Sequence, residues 1–141
     1  MKAWIGRNED GTLYLNFFKP YKQDGEWLIK AQDYFLQLDE SHFNLDFSNV
    51  KWEDDEPTEI ELHIVDQALN NCIDGYLTKD KNNAVHFHTF KPNKFKNRWG
   101  NEIDWNILEI SQSECPNIDF RQLNWKDDKP LYVHLELSYK N

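Results

Sequence analysis

The chain has 141 residues, 39% of them hydrophobic and 15% aromatic, with a formal net charge of −9. That length bounds it to one domain of ordinary size or two very small ones, and the ring content predicts an aromatic-rich core. The acidic balance disfavours general binding to phosphate backbones, and no stretch approaches the roughly 18 consecutive apolar residues of a membrane span.

Met1 to Arg7 enters a strand-like pattern at once, with Ala3 and Ile5 on one side and Trp4 and Gly6 on the other. It carries neither an apolar core of signal-peptide length nor a small-residue cleavage site. Glu9-Asp10-Gly11 reads as a hairpin turn, and Thr12 to Phe18 alternates again, with Leu13, Leu15 and Phe17 sharing a face. Pro20 ends that strand because proline cannot donate to a ladder. A polar loop with Asp24-Gly25 as its turn follows, and Trp27 restarts the chain. Tyr34, Leu36 and Leu38 alternate as a third strand. Ser41 reads as the N-cap of a short helical turn. Pro57 opens a last strand on which Thr58, Ile60, Leu62 and Ile64 share a face.

The same design is then written again. At an offset of 72, Phe18, Lys19, Pro20, Lys22, Trp27, Leu36 and Ser41 fall on Phe90, Lys91, Pro92, Lys94, Trp99, Leu108 and Ser113. After one inserted residue near Cys115-Pro116, an offset of 73 places Asn44, Asp46, Phe47, Trp52, Asp54, Asp55, Pro57 and Leu62 on Asn117, Asp119, Phe120, Trp125, Asp127, Asp128, Pro130 and Leu135. Fifteen identities with one gap, two Trp pairs among them, mark a tandem duplication. The boundaries predicted are 1–66 for the first repeat, 67–72 for a short connection and 73–141 for the second. In the second hairpin Asn82-Asn83 stands where Asp10-Gly11 stands in the first, and Asn tolerates a positive φ. The fold class expected is mainly β with short helical turns: two antiparallel β-rich repeats of four or five strands each, packed about a pseudo-twofold axis.

The pattern Trp4-Ile5-Gly6-Arg7-Asn8-Glu9-Asp10-Gly11-Thr12-Leu13, then Lys19-Pro20, then Val50-Lys51-Trp52-Glu53-Asp54-Asp55-Glu56-Pro57-Thr58-Glu59-Ile60-Glu61-Leu62 resembles a family of small proteins of gut-type Gram-negative bacteria and their phages and mobile elements. The resemblance covers about residues 2–63 and, more faintly, 74–137. It implies a β-rich module and a mobile-element origin. The family has no settled activity, so the resemblance assigns no functional residue, and this chain departs from it in carrying two copies.

Three groups of residues could carry chemistry. Residues 1–70 hold 6 Lys/Arg against 15 Asp/Glu, a balance of −9, whereas residues 71–141 hold 10 of each. Glu53, Asp54, Asp55 and Glu56 concentrate that charge and are the candidate face for a basic protein partner. The inner pair recurs as Asp127-Asp128, which a turn would require, while the outer charges change to Lys126 and Lys129. Lys19, Lys91, Lys94, Lys96 and Arg98, with Trp99 beside them, are candidates for a small anion or nucleotide. The simpler reading makes them a solvated loop, and Trp27, Trp99, Trp52 and Trp125 core anchors. His86 and His88 share a strand face and could hold a metal, with His134 approaching from the last strand; the simpler reading is two exposed strand histidines.

No Walker loop, nucleophile elbow, Cys-x-x-Cys pair or His-Glu-x-x-His motif is present, and only 5 glycines are available for a phosphate cradle. No cofactor is expected. Cys72 and Cys115 occupy non-equivalent positions in the repeat, which predicts free thiols in a reducing, cytoplasmic setting. The leading reading is a non-enzymatic binding protein; the alternatives are a small-anion or nucleotide binder using the Lys/Arg strip and a metal-dependent enzyme at His86 and His88, and the unequal charge of the halves permits head-to-tail self-association.

Overall fold

The computed structural model describes residues 1–30, 34–68, 70–101 and 106–140. It is mainly β and divides into two units, residues 1–62 with 137–141 and residues 63–136. One residue of the predicted connection, Leu69, lies outside the described residues.

Unit 1 is built on a four-stranded antiparallel sheet. Its strands are β1 (Lys2–Arg7), β2 (Leu13–Asn16), β5 (Phe35–Leu38) and β6 (Thr58–Val65), in the order β6-β1-β2-β5. The period-2 pattern does the sorting: Ala3, Ile5, Leu13, Leu15, Leu38, Ile60 and Leu62 are all buried. Phe47 and Val50, from the long segment before β6, join this core. The loop after Pro20 is itself a small hairpin, β3 (Tyr21–Gln23) with β4 (Glu26–Leu28). Asp24 and Gly25 form its turn with φ of 52° and 80°. Among the described residues each half of the chain therefore contributes six strands rather than four or five. The extra pair escapes a sequence reading because strands of two or three residues are too short to show a period, even where one of them carries a buried tryptophan.

Unit 2 repeats the plan with β7 (Cys72–Lys79), β8 (Val85–His88), β11 (Ile107–Glu109) and β12 (Leu131–Tyr139) in the order β12-β7-β8-β11. The small hairpin is β9 (Asn93–Lys94) with β10 (Trp99–Gly100). The β7–β8 turn works as the asparagine substitution requires. Asn83 takes φ 72° where Gly11 takes 91°, and both amides donate to the residue three back, Asp80 O and Asn8 O, at 2.9 Å.

Ser41 and Ser113 are not the caps of the short helical turns. Those turns span 40–42 and 112–114, and the capping residues are Asp39 and Ser111. Asp39 Oδ1 accepts from the Ser41 backbone N at 3.0 Å, while Ser111 forms a capping box with Glu114. Among the described residues no helix is long and apolar enough to cross a membrane. Both cysteines are free, with Cys115 buried and its thiol pKa raised by that burial.

Candidate functional site

The site grows from Gly6. A Cβ at that position would lie 2.6 Å from Trp27 Cδ1, so the indole rests directly on the bare backbone of β1. Trp27 is held there by its own main chain, because Asn8, at the end of β1, accepts the Trp27 backbone N–H on Oδ1 at 2.8 Å. Unit 2 reproduces this bond from Trp99 to Asp80 Oδ1, also at 2.8 Å.

Outside the indole sits a lysine. Lys22 Nζ lies 5.1 Å from the Trp27 ring centre and 4.4 Å from that of Trp52, and it donates to the Trp52 carbonyl. The two rings meet edge-on at 6.3 Å. Lys94 does the same in unit 2, 5.1 Å from Trp99 and 4.5 Å from Trp125, donating to Trp125 O at 2.5 Å and Asp127 O at 2.8 Å. This Trp–Lys–Trp clamp fixes the turn that follows Trp52.

That turn is the acidic one. Asp54 Oδ2 accepts from the Lys51 amide at 3.0 Å, and Asp127 Oδ2 accepts from the Asn124 amide at 3.0 Å. The first Asp of each pair is a structural part of the turn. Glu53, Asp55 and Glu56 are exposed, and Glu56 meets Lys19 Nζ at 3.1 Å across open surface.

On the other side of Trp27, unit 1 encloses a cavity of about 280 Å³ lined by Asn8, Tyr14, Asn16, Glu26, Trp27, Leu28, Ile29 and Phe35. Tyr14 and Asn16 come from one face of β2, and Phe35 from β5, paired opposite Asn16. Tyr14 and Phe35 pack edge to face at 5.8 Å. Asn16 is buried, and its amide nitrogen donates to Trp4 O at 3.5 Å. Among the described residues Trp27 Nε1 is buried without a hydrogen-bond partner.

At the matching positions unit 2 carries Asp80, His86, His88, Arg98, Trp99 and Ile107 in place of Asn8, Tyr14, Asn16, Glu26, Trp27 and Phe35. The histidines are not exposed: His88 is fully buried and the His86 side chain is 20% exposed. Thr78, standing where Gly6 stands in unit 1, places Oγ1 2.8 Å from His88 Nε2. Burial holds the His88 pKa down to about 3, with His86 adding a smaller push in the same direction. His86 Nδ1 lies 3.2 Å from Asp80 Oδ2, near enough for attraction but not aligned as a hydrogen bond. His134 does not join them. It faces Asp74 across the β12–β7 pair, with Nδ1 3.5 Å from Asp74 Oδ1. Among the described residues no three His, Cys, Asp or Glu side chains converge as metal ligands.

The basic candidates are dispersed in role. Lys94 is engaged by two carbonyls and Trp99 is buried, while the Arg98 guanidinium stacks 5.0 Å from the Phe95 ring. Lys91 and Lys96 are exposed. The residues that sequence reading passed over are Asn8, Tyr14, Asn16, Glu26 and Phe35. Their signal was available in Asn8 and Asp80, two carboxamide-or-carboxylate residues at the repeat offset that an identity count ignores.

No family model, curated protein or solved structure matches this chain.

Proposed function

We propose that the protein is a non-enzymatic, cytoplasmic binding protein that presents the acidic turn of unit 1 to a basic partner protein. The supporting observation is one turn built twice with different outward charges. Each unit sets a lysine on the carbonyl of its tryptophan, Lys22 on Trp52 and Lys94 on Trp125, and bonds the first Asp, Asp54 or Asp127, to a backbone amide; Lys94 donates to Asp127 O as well. The outward positions read Glu53, Asp55 and Glu56 in one unit and Lys126, Asp128 and Lys129 in the other. A fixed scaffold with changed charges suits presentation, because a preorganised loop loses little freedom on binding. The surrounding balance of −9 over residues 1–70 adds long-range attraction for a basic surface. The resemblance to phage and mobile-element proteins makes a host protein the natural partner.

The test is affinity capture from lysate at two salt concentrations, with wild type and a Glu53→Lys, Glu56→Lys double variant. A basic protein retained by wild type, released as salt rises and lost in the variant is the expected result. Capture indifferent to both salt and charge reversal would defeat the reading.

A further inference from the structure

We propose that the cavity of unit 1 receives an arginine side chain of that basic partner. The inference rests on the binding reading above and names the side chain that anchors it.

The lining chooses the chemistry. Tyr14, Trp27 and Phe35 supply three aromatic walls, Asn8 and Asn16 supply amide groups, and Glu26 supplies a carboxylate from an exposed position. Aromatic rings with a carboxylate favour a cation, and the acidic balance of the first half of the chain attracts one. Among biological cations a guanidinium is the one that is flat. It can lie against a ring while its in-plane N–H groups reach amide and carboxylate oxygens, and it sheds water more readily than an ammonium. Trp27 already has one cation against it, Lys22 at 5.1 Å.

Unit 2 argues the same point by contrast. Its scaffold keeps the tryptophan, the lysine clamp and the bond from the tryptophan amide to the residue ending the first strand. Its lining differs: Arg98 stands in place of Glu26, Ile107 in place of Phe35, and His86 and His88 in place of Tyr14 and Asn16. Neither the Tyr14 phenol nor the Phe35 ring has a counterpart there, and the Glu26 carboxylate has none either, so the two units divide one architecture between different occupants. One ring links the cavity lining to the segment of the acidic turn inside unit 1. Trp27 forms its wall and meets Trp52, the residue immediately before Glu53. A single basic segment could seat one arginine in the cavity and lay its neighbours on the turn.

The experiment titrates the ¹⁵N-labelled full chain with acetyl-Gly-Arg-Gly-amide and with the same peptide carrying lysine, trimethyl-lysine or citrulline instead. The readout is the Trp27 indole N–H and the Asn16 side-chain amide, assigned by their loss in Trp27→Phe and Asn16→Ala. Saturable shifts at both with the arginine peptide are expected. Binding should weaken about threefold to tenfold in Glu26→Gln and vanish in Glu26→Arg, a surface substitution that leaves the fold in place. Citrulline keeps the plane and offers the Trp27 N–H an oxygen but carries no charge. Equal response to citrulline, to lysine or to trimethyl-lysine, or indifference to Glu26→Arg, would overturn the proposal. Because the peptide needs no partner, the two readings fail separately. Peptide binding without any captured protein removes the acidic-turn reading alone. Capture that survives Glu26→Arg but not Glu53→Lys removes the cavity reading alone.

Discussion

Lys22 reaches back across 30 residues to place its ammonium 4.4 Å from the Trp52 ring centre while donating to the Trp52 carbonyl. A lysine in that position does two jobs with one charge: it satisfies a carbonyl that the turn leaves unpaired, and it ties the small hairpin to the segment before β6. Lys22→Met keeps the aliphatic stem and removes both. It should destabilise the protein by about 1 kcal/mol, the combined scale of an exposed cation–π contact and one hydrogen bond. Urea denaturation of Lys22→Met and Lys94→Met would show matching losses if the two clamps are equivalent.

Two glycines of unit 1 make opposite predictions. Gly6→Ala drives a methyl group to 2.6 Å from Trp27 and should cost about 1–3 kcal/mol through overpacking. Gly11 has open space around it and is constrained only by φ 91°. Gly11→Asn installs the residue type that adopts φ 72° at Asn83, and should leave the melting temperature nearly unchanged while Gly6→Ala lowers it.

His88 predicts an acid-sensitive fold. Its folded pKa, about 3, lies below the ordinary 6.5, so the unfolded chain binds the proton more readily. The stability this buried neutral imidazole allows is fully present above pH 6.5 and falls as pH drops toward 3, by up to about 1.4 kcal/mol per pH unit. Measured between pH 6.5 and 4.5, the slope should flatten in His88→Asn, which places there the residue type that unit 1 uses at Asn16. An unchanged slope would show that His88 is not the group responsible.

Arg7 predicts where unit 1 opens. Its guanidinium donates to Val50 O at 2.7 Å, Phe47 O at 3.0 Å and Gly11 O at 3.0 Å, and pairs with both oxygens of Glu40 at 2.8 and 3.0 Å. That pairing holds the Glu40 carboxyl below its usual range. Arg7→Met would strip the guanidinium from the partly buried Val50 carbonyl and leave Phe47 O with its bond from the Val50 amide, at a cost of about 2 kcal/mol. Hydrogen exchange should quicken at the Val50 amide, which donates to Phe47 O at 3.0 Å, before it quickens at Ile60 in the sheet.

Strand alternation was legible because each sheet buries one face, so Ile5, Leu13, Leu15, Ile60 and Leu62 announce their orientation by spacing alone. The turn chemistry of Gly11 and Asn83 was legible for a similar reason, since few residues tolerate a positive φ. The cavity was not. Tyr14, Asn16 and Phe35 lie on strand faces that sequence alone cannot tell from solvent, and what covers them is Trp27, brought over by a hairpin too short to leave a periodic signal. The burial of His88 was hidden for the same reason: a polar residue on an alternating strand reads as outward until something is seen to pack on it. Cap positions were missed by two residues because serine and aspartate both cap, and only the geometry shows that Asp39 and Ser111 do so here.

The clamp around the acidic turn has a consequence for how such a protein can change over generations. Its anchors are a lysine ammonium, two tryptophan rings and one aspartate bonded to a backbone amide; none of them depends on the identity of residues 53, 55 or 56. Substitutions at those three places touch none of the anchors; what they can remove is the exposed Lys19–Glu56 ion pair. The charges at those places can drift, invert or be transplanted from one unit to the other while the anchors of the turn are kept.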